Sequence, residues 1–108
     1  MKKILFCTEA SWYATGYSVY TKEVLSRLCQ IDEFEVAELG CYANTSDAQD
    51  KNLPWKFYGN KPDPNSPEYN SYKGNPTAQF GDQSFNSVLL DFKPYIVMDI
   101  RDWWMLEF

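Results

Sequence analysis

A glycine-containing turn near the start of the chain is the first place where residue types and spacing favour chemistry. Thr15-Gly16-Tyr17-Ser18 follows a short apolar run and precedes a segment with helical spacing. A glycine at such a turn lets a ligand approach the backbone closely, and the unpaired N–H groups of a helix N-terminus bind phosphate. The turn therefore predicts a site for a phosphate or a sugar. In the competing interpretation, Gly16 only makes the turn from strand to helix.

A charged cluster near the end of the sequence is the second candidate. Asp99, Arg101 and Asp102 place a guanidinium between two carboxylates. Arginine pairs bidentately with carboxylates and phosphates, so the cluster predicts binding of a substrate hydroxyl or phosphate. The alternative is a local group of ion pairs that ties the loop down. We predict no metal site, because two aspartates alone do not support one.

Aromatic residues concentrated in two loops are the third candidate. Trp12, Tyr13 and Tyr17 follow the first apolar run, and Trp103 and Trp104 follow the charged cluster. Aromatic faces with polar tips suit stacking on sugars or bases. The equally weighted alternative is packing against a further domain or a second copy of the chain, which predicts a homodimer through the aromatic C-terminus.

Composition excludes several functional classes. The chain contains no histidine, which removes Ser-His-Asp and Cys-His nucleophilic sites and histidine metal sites. The net charge is −5 and the sequence has no basic cluster beyond Lys2-Lys3, so we predict no nucleic-acid partner. Three cysteines without a C-x-x-C pair are interpreted as small buried side chains in a reducing compartment.

The N-terminus resembles a secretory signal only superficially. Its apolar stretch is about four residues long, against roughly 7–15 in a true signal peptide. No run is long enough to span a membrane. We therefore expect a cytoplasmic protein with no membrane span, and no feature of the sequence calls for a cofactor.

The elements that must position these residues follow from hydrophobic patterning. The near-continuous apolar runs at 4–8, 34–42 and 95–100 predict buried strands of a parallel sheet. Helical spacing predicts one helix over about 17–30, capped by Thr15 or Ser18, and another from Asp82 or Ser84 to the residue before Pro94.

The stretch between residues 43 and 79 has a different composition. Five of the six prolines lie between Pro54 and Pro76, among Asn, Asp, Ser and Gly. This predicts a long irregular loop over the domain surface, with residues 55–58 as the least certain, edge strand. Right-handed crossovers then give an α/β, Rossmann-like parallel sheet with flanking helices and strand order 3-2-1-4.

The length and the ending bear on domain organisation. A chain of 108 residues is one domain, and it is small for a doubly wound enzyme. It ends on Arg101-Asp-Trp-Trp-Met-Leu-Glu-Phe108, which is unusually apolar for a free terminus. We expect a single Rossmann-like domain from a larger protein, and the alternative is a C-terminal turn that docks into its own core.

The order of these segments resembles the opening of GT-B glycosyltransferases of the glycogen-synthase-like, family 4 type. The segments are Lys3-Ile-Leu-Phe, Thr15-Gly-Tyr-Ser, Val24-Leu-Ser-Arg-Leu and Phe34-Glu-Val. Phe92-Lys-Pro-Tyr-Ile-Val97 is similar to the family's helix, Lys-Pro-Asp-Val-Val strand segment, with Tyr95 where Asp is common, and residues 99–105 resemble the strand-end loop of some members. The likeness covers nearly all of the chain except residues 43–79.

The resemblance implies half of a two-domain enzyme that moves a sugar from a nucleotide sugar to an acceptor. It implies that the turn of Thr15, Gly16, Tyr17 and Ser18 faces the donor phosphate or sugar. It implies acceptor binding by Trp12, Tyr13, Asp99, Arg101, Asp102 and Trp103. The nucleotide pocket and the Glu-x7-Glu motif belong to the family's C-terminal domain, and no segment of this chain matches that motif. The lack of histidine also departs from members that have one in the N-terminal domain.

Two other classes compete with this interpretation. One is a free-standing α/β binding or oligomerising module without catalysis, for which the aromatic C-terminus is a partner surface. The other is a flavodoxin- or receiver-like regulator. A receiver needs an acidic cluster just after the first strand, where this sequence has only Glu9, so it ranks last.

Overall fold

The structure is a computed structural model that describes residues 1–100, apart from the side chains of residues 82 and 83. Its elements in chain order are β1 (Lys2–Glu9), α1 (Gly16–Leu28), β2 (Phe34–Cys41), a short 3₁₀ helix (Thr45–Ala48), β3 (Lys56–Gly59), α2 (Glu68–Tyr72), α3 (Pro76–Gln79), α4 (Asp82–Phe92) and β4 (Ile96–Asp99).

The four strands form one parallel sheet in the order β3-β2-β1-β4. Ile4 of β1 is aligned with Val36 of β2 on one side and with Ile96 of β4 on the other. The predicted fold class and strand order are therefore confirmed. Because all strands are parallel, the turns after β1 and β2 leave the sheet at the edge where β4 also ends, and ligands bind at this edge in such folds.

Two helices explain why the central strands carry apolar side chains on both faces. On one face, Leu5, Cys7 and Leu39 pack against Val88 and Phe92 of α4. On the other face, Ile4, Phe6, Val36 and Trp55 pack against Leu25 of α1. A strand covered on both faces needs apolar side chains at odd and even positions alike, and β1 and β2 have them.

The first residues of α1 and α4 show which of the predicted helix caps are present. The Thr15 side chain accepts a hydrogen bond from the Ser18 N–H, so Thr15 is the cap of α1. The prediction that Asp82 or Ser84 caps α4 is wrong. The cap residue is Gly81, with a φ of 119° that favours glycine, and the Ser84 hydroxyl donates to Asn60 Oδ1 instead. The helix ends before Pro94, as predicted.

Residues 43–79 are more structured than the sequence predicts. Besides the predicted edge strand, which is observed at Lys56–Gly59, they contain the 3₁₀ helix, α2 and α3. Asn side chains organise this region. Asn44 and Asp47 form a capping box on the 3₁₀ helix. The buried Asn60 side chain donates to the carbonyl oxygens of Ala78 at 2.8 Å and Gln79 at 2.9 Å. These contacts hold a proline-rich stretch against the sheet without long elements.

In the described part of the chain, no helix combines the length and apolar character needed to cross a membrane.

Candidate functional site

Two separate clefts lie at the carboxyl edge of the sheet, and they contain Trp12, Tyr13, Thr15, Gly16 and Tyr17 of the predicted site residues. Both clefts use the turn that follows β1. We call them the Gly16 cleft, lined by Glu9, Thr15, Gly16, Tyr17, Tyr20 and Ile100, and the Trp12 cleft, lined by Trp12, Tyr13, Ser46, Asp47, Gln49, Asp50 and Lys51. They have no lining residue in common.

The Gly16 cleft, of about 550 Å³, lies where α1 begins. A Cβ atom built on Gly16 would meet no atom within 4 Å beyond its chain neighbours and the backbone of its own helix, so the space beside Gly16 is open. The apolar part of the wall comes from Tyr17, Tyr20 and Ile100. This arrangement leaves a ligand free access to the backbone at Gly16.

A carboxylate of the chain itself lies at this helix end. The Thr15 hydroxyl donates to Glu9 Oε2 at 2.5 Å, and Thr15 Oγ1 also accepts from the Ser18 N–H at 3.1 Å. The N-terminus of a helix carries a partial positive charge, which Glu9 already offsets. A second anion bound at Gly16 would therefore meet repulsion from Glu9, whereas a sugar hydroxyl would find an acceptor. Ser18 is fully buried and supports the turn from below.

The Trp12 cleft, of about 480 Å³, lies between the turn after β1 and the segment that follows β2. The Trp12 ring packs on Phe57 of β3, with ring centroids 4.8 Å apart. The Lys51 ammonium lies 5.8 Å from the centre of the Trp12 ring. Gly40 leaves room for the Phe57 ring in this position, because a Cβ on Gly40 would lie only 2.5 Å from Phe57 Cε2.

Tyr13 closes the inner side of the Trp12 cleft. Its hydroxyl donates to the Tyr42 carbonyl oxygen at 3.0 Å. Burial raises the pKa of Tyr13, and the negative charges of Asp47 and Glu9 raise it further. The phenol therefore stays protonated at neutral pH and acts as a hydrogen-bond donor.

A buried carboxylate that the sequence analysis did not single out contacts the turn after β1. Glu38 of β2 has no exposed surface. It accepts hydrogen bonds from the Ser11 N–H at 2.6 Å, the Ser11 hydroxyl at 2.8 Å and Trp55 Nε1 at 2.9 Å. Burial raises the pKa of Glu38, and these hydrogen bonds partly offset that increase.

Of the predicted acceptor residues other than Trp12 and Tyr13, the structure describes Asp99. Asp99 ends β4, on the side of β1 away from β2, and lines neither cleft. Arg101, Asp102, Trp103 and Trp104 lie outside the described residues. The structure thus brings Trp12 together with Tyr13, and Thr15 with Gly16 and Tyr17, but it does not bring Asp99 to either group.

Sequence reasoning also missed residues that line the clefts. Glu9 and Tyr20 belong to the Gly16 cleft, and one wall of the Trp12 cleft comes from residues 46–51. The position of Glu38 contained a usable signal, because its carboxylate lies between the apolar residues Ala37 and Leu39 in the buried part of β2. A charged residue at such a position must find hydrogen-bond donors inside the protein.

In residues 1–100, no group of three or more Cys, Asp or Glu side chains is placed to hold a metal ion. Comparisons of this chain with known protein families, with curated proteins and with solved structures find no match.

Proposed function

We propose that this chain is the acceptor-side domain of a glycosyltransferase with two Rossmann-like domains, which transfers a sugar from a nucleotide-sugar donor to an acceptor. The observation that supports it most is the pair of clefts around one turn at the carboxyl edge of the sheet. One cleft offers open backbone at a glycine and the other offers an aromatic ring among polar groups, and both suit a sugar.

In this proposal the Gly16 cleft receives the donor, with its transferred sugar closest to Thr15, Gly16 and Tyr17. The Glu9 carboxylate favours the uncharged sugar over the diphosphate at this position, because it already lies at the positive end of α1. The open space at Gly16 lets the sugar lie directly against the helix backbone.

The Trp12 cleft receives a hydroxyl-rich acceptor in the same proposal. Its lining combines an aromatic face with carboxylate, amide and hydroxyl groups from residues 46–50. Asp47 and Asp50 outnumber Lys51 there, which disfavours an anionic acceptor. Asp99, Arg101, Asp102 and Trp103 remain proposed acceptor contacts on the resemblance alone.

The proposed activity needs a second domain. In the family that the sequence resembles, the nucleotide pocket and the Glu-x7-Glu motif lie in the C-terminal domain, and these 108 residues contain no match to that motif. The proposal places the protein in the cytoplasm, which fits cysteines buried as thiols in β1 and β2.

Amide NMR spectra of the isotope-labelled chain, titrated with nucleotide sugars and separately with neutral oligosaccharides, test this function. Nucleotide sugars should shift the signals of residues 15–17, and a neutral oligosaccharide should shift the Trp12 indole and residues 46–51. Trp12→Ala should abolish the second response and Gly16→Val the first. Tyr95→Ala, at an exposed position outside both clefts, serves as the control. Absence of shifts at both clefts over the whole panel would contradict the proposal.

One observation favours the alternative, a binding or oligomerising module without catalysis. Tyr95, Ile96 and Met98 are exposed along β4, which is an edge of the sheet. Exposed apolar side chains on an open edge favour association. Sedimentation equilibrium distinguishes the two functions: a dimer that Ile96→Lys converts to monomers, combined with no response to nucleotide sugars, would support the module.

A further inference from the structure

The buried Glu38 carboxylate lies in the centre of the sheet, between the strands that lead to the Trp12 cleft. In the strand register it is opposite Phe6 of β1 and Phe57 of β3. It is on the face of the sheet covered by α1, together with Val36 and Trp55. It has no exposed surface, and its carboxylate accepts three hydrogen bonds from the protein.

The three hydrogen bonds to Glu38 come from two distant segments. Ser11, in the turn after β1, donates with its N–H and its hydroxyl, and Trp55, just before β3, donates with its indole N–H. Ser11 is 27 residues from Glu38 along the chain, and Trp55 is 17 residues from it. A single side chain of β2 therefore connects the segments on both of its flanks.

These two segments contain Trp12, which lines the Trp12 cleft, and Phe57, on which the Trp12 ring packs. Trp12 directly follows Ser11, and Phe57 is two residues beyond Trp55. The Trp12 and Phe57 rings pack against each other at 4.8 Å. Any shift of Ser11 relative to Trp55 would therefore change the contact between the rings and the shape of the cleft.

Fold stability alone does not account for an acid at this position. A buried carboxylate carries a desolvation cost that an apolar side chain of similar size avoids. The side chains facing Glu38 from β1 and β3 are Phe6 and Phe57, and no charged group of the described chain is among the causes that shift its titration. Among residues 1–100 no ion pair with Glu38 offsets the cost, and the carboxylate is held by its three donors.

We propose that Glu38 is the positioning residue of the Trp12 cleft, which holds Trp12 against Phe57 by binding Ser11 and Trp55 at the same time. This inference concerns the cleft in the unliganded chain. It rests on the proposed function only for the ligand-binding part of its test.

The arrangement of the hydrogen-bond donors around Glu38 requires a carboxylate at this position. Glu38 Oε2 accepts from the Ser11 N–H, and Oε1 accepts from the Ser11 hydroxyl and from Trp55 Nε1. The two N–H groups can only donate. In Glu38→Gln, either orientation of the amide places an NH₂ group against one of them. The isosteric variant therefore loses one of the two connections while it keeps the shape of the side chain.

Amide and indole NMR spectra of wild type and Glu38→Gln, without ligand, test the proposal. The variant should shift the Ser11 N–H, the Trp55 indole N–H and, through them, the Trp12 indole. Hydrogen exchange at Ser11 should become about tenfold faster. The control is Glu35→Gln, an acid on the same strand that is exposed and 3.9 Å from Lys3. An unchanged Trp12 indole in a folded Glu38→Gln protein would overturn the proposal.

A pH titration of the wild-type chain keeps the test decisive if the variant does not fold. The Ser11 N–H and the Trp55 indole N–H should titrate with one shared midpoint, above the usual range of a glutamate, and the Trp12 indole should show the same midpoint. Asp47 and Asp50 also lie in the Trp12 cleft, so the titration is repeated in the Asp47→Asn/Asp50→Asn chain. Different midpoints for the Ser11 N–H and Trp55 indole signals, or a Trp12 indole signal that does not titrate, would contradict the positioning role and leave Glu38 a purely structural one.

A final titration with a neutral oligosaccharide separates this inference from the proposed function. If wild type binds and Glu38→Gln binds about tenfold more weakly with Trp12 retained, both are supported. If wild type does not bind but the ligand-free spectra change as described, the positioning role stands and the acceptor proposal fails. Equal binding by wild type and Glu38→Gln would contradict the positioning role.

Discussion

Gly59 lies where β3 meets the turn that supports the Trp12 cleft, and Gly59→Ala should perturb both the fold and the cleft. A Cβ at this position would lie 2.7 Å from the Ala43 carbonyl oxygen and closer still to Thr45 N and Asn44 C. All of these atoms belong to the backbone, so no side chain can rotate away. The Gly59 N–H also donates to Thr45 Oγ1 at 2.9 Å, and this hydrogen bond would be stretched.

The size of the effect follows from the required movement. Non-bonded heavy atoms pack at about 3.5–4.0 Å, so the end of β3 and the turn at residues 43–45 must separate by about 1.5 Å. Overpacking of this kind costs about 1–3 kcal/mol of unfolding free energy. In a domain of this size each kcal/mol lowers Tm by about 4–8 °C, so we expect a fall of about 5–20 °C.

Thermal and urea unfolding of Gly59→Ala measure this loss, with Gly16→Ala as the matched control. Gly16 has no atom near its would-be Cβ, so its substitution should leave stability unchanged or raise it by up to about 1 kcal/mol. The NMR signals of Ser46 and Asp47 should move in Gly59→Ala only. If the two variants proved equally stable, the close approach of β3 to the 43–45 turn would be refuted.

Three further predictions concern titration and activity. Burial raises the pKa of Glu38 above 4.5, so the unfolded chain releases this proton at a lower pH than the folded chain. As pH rises above 4.5, urea titrations should therefore show that the unfolding free energy of wild type falls relative to that of Glu38→Gln. A difference between the two that stays constant with pH would count against the buried carboxylate. Burial raises the pKa of Tyr72 to about 12, so an absorbance titration should lose its latest tyrosine phase in Tyr72→Phe, and an unaltered curve would argue against this burial. In a complete glycosyltransferase, Gly16→Val should cripple transfer while Tm stays near that of wild type, and unchanged turnover would remove Gly16 from the donor site.

Much of the fold is predictable because its signals are local. β1 and β2 lie in the centre of the sheet and need apolar residues on both faces, which produces the near-continuous apolar runs of the sequence. Thr15 precedes the helical pattern of α1 and provides the cap that its residue type favours. Strand order then follows from the handedness of the crossovers.

The order within residues 43–79 is not visible in local patterning. It depends on side-chain amides such as Asn60, whose partners Ala78 and Gln79 are 18 and 19 residues away. A segment rich in proline and polar residues can have the same composition whether it is a mobile loop or packs against the rest of the domain. Only the tertiary contacts of the buried Trp55 and Asn60 distinguish them.

The division of the candidate site into two clefts was equally hidden. The sequence predicts that Trp12, Gly16 and Asp99 lie at one edge of the sheet, but it does not specify on which side of β1 each of them lies. In the structure Trp12 leans over β3 through its contact with Phe57, whereas Gly16 lies beside Ile100, beyond the end of β4. Similarly, the role of Glu38 depends on Ser11 and Trp55, which no local spacing connects to it.

The coding sequence downstream of codon 108 in the source DNA tests the central claim most directly. If this chain is the acceptor-side half of a glycosyltransferase, the reading frame continues into a second α/β domain that contains a Glu-x7-Glu motif. A stop codon directly after residue 108 would contradict that claim and favour a small binding or oligomerising module.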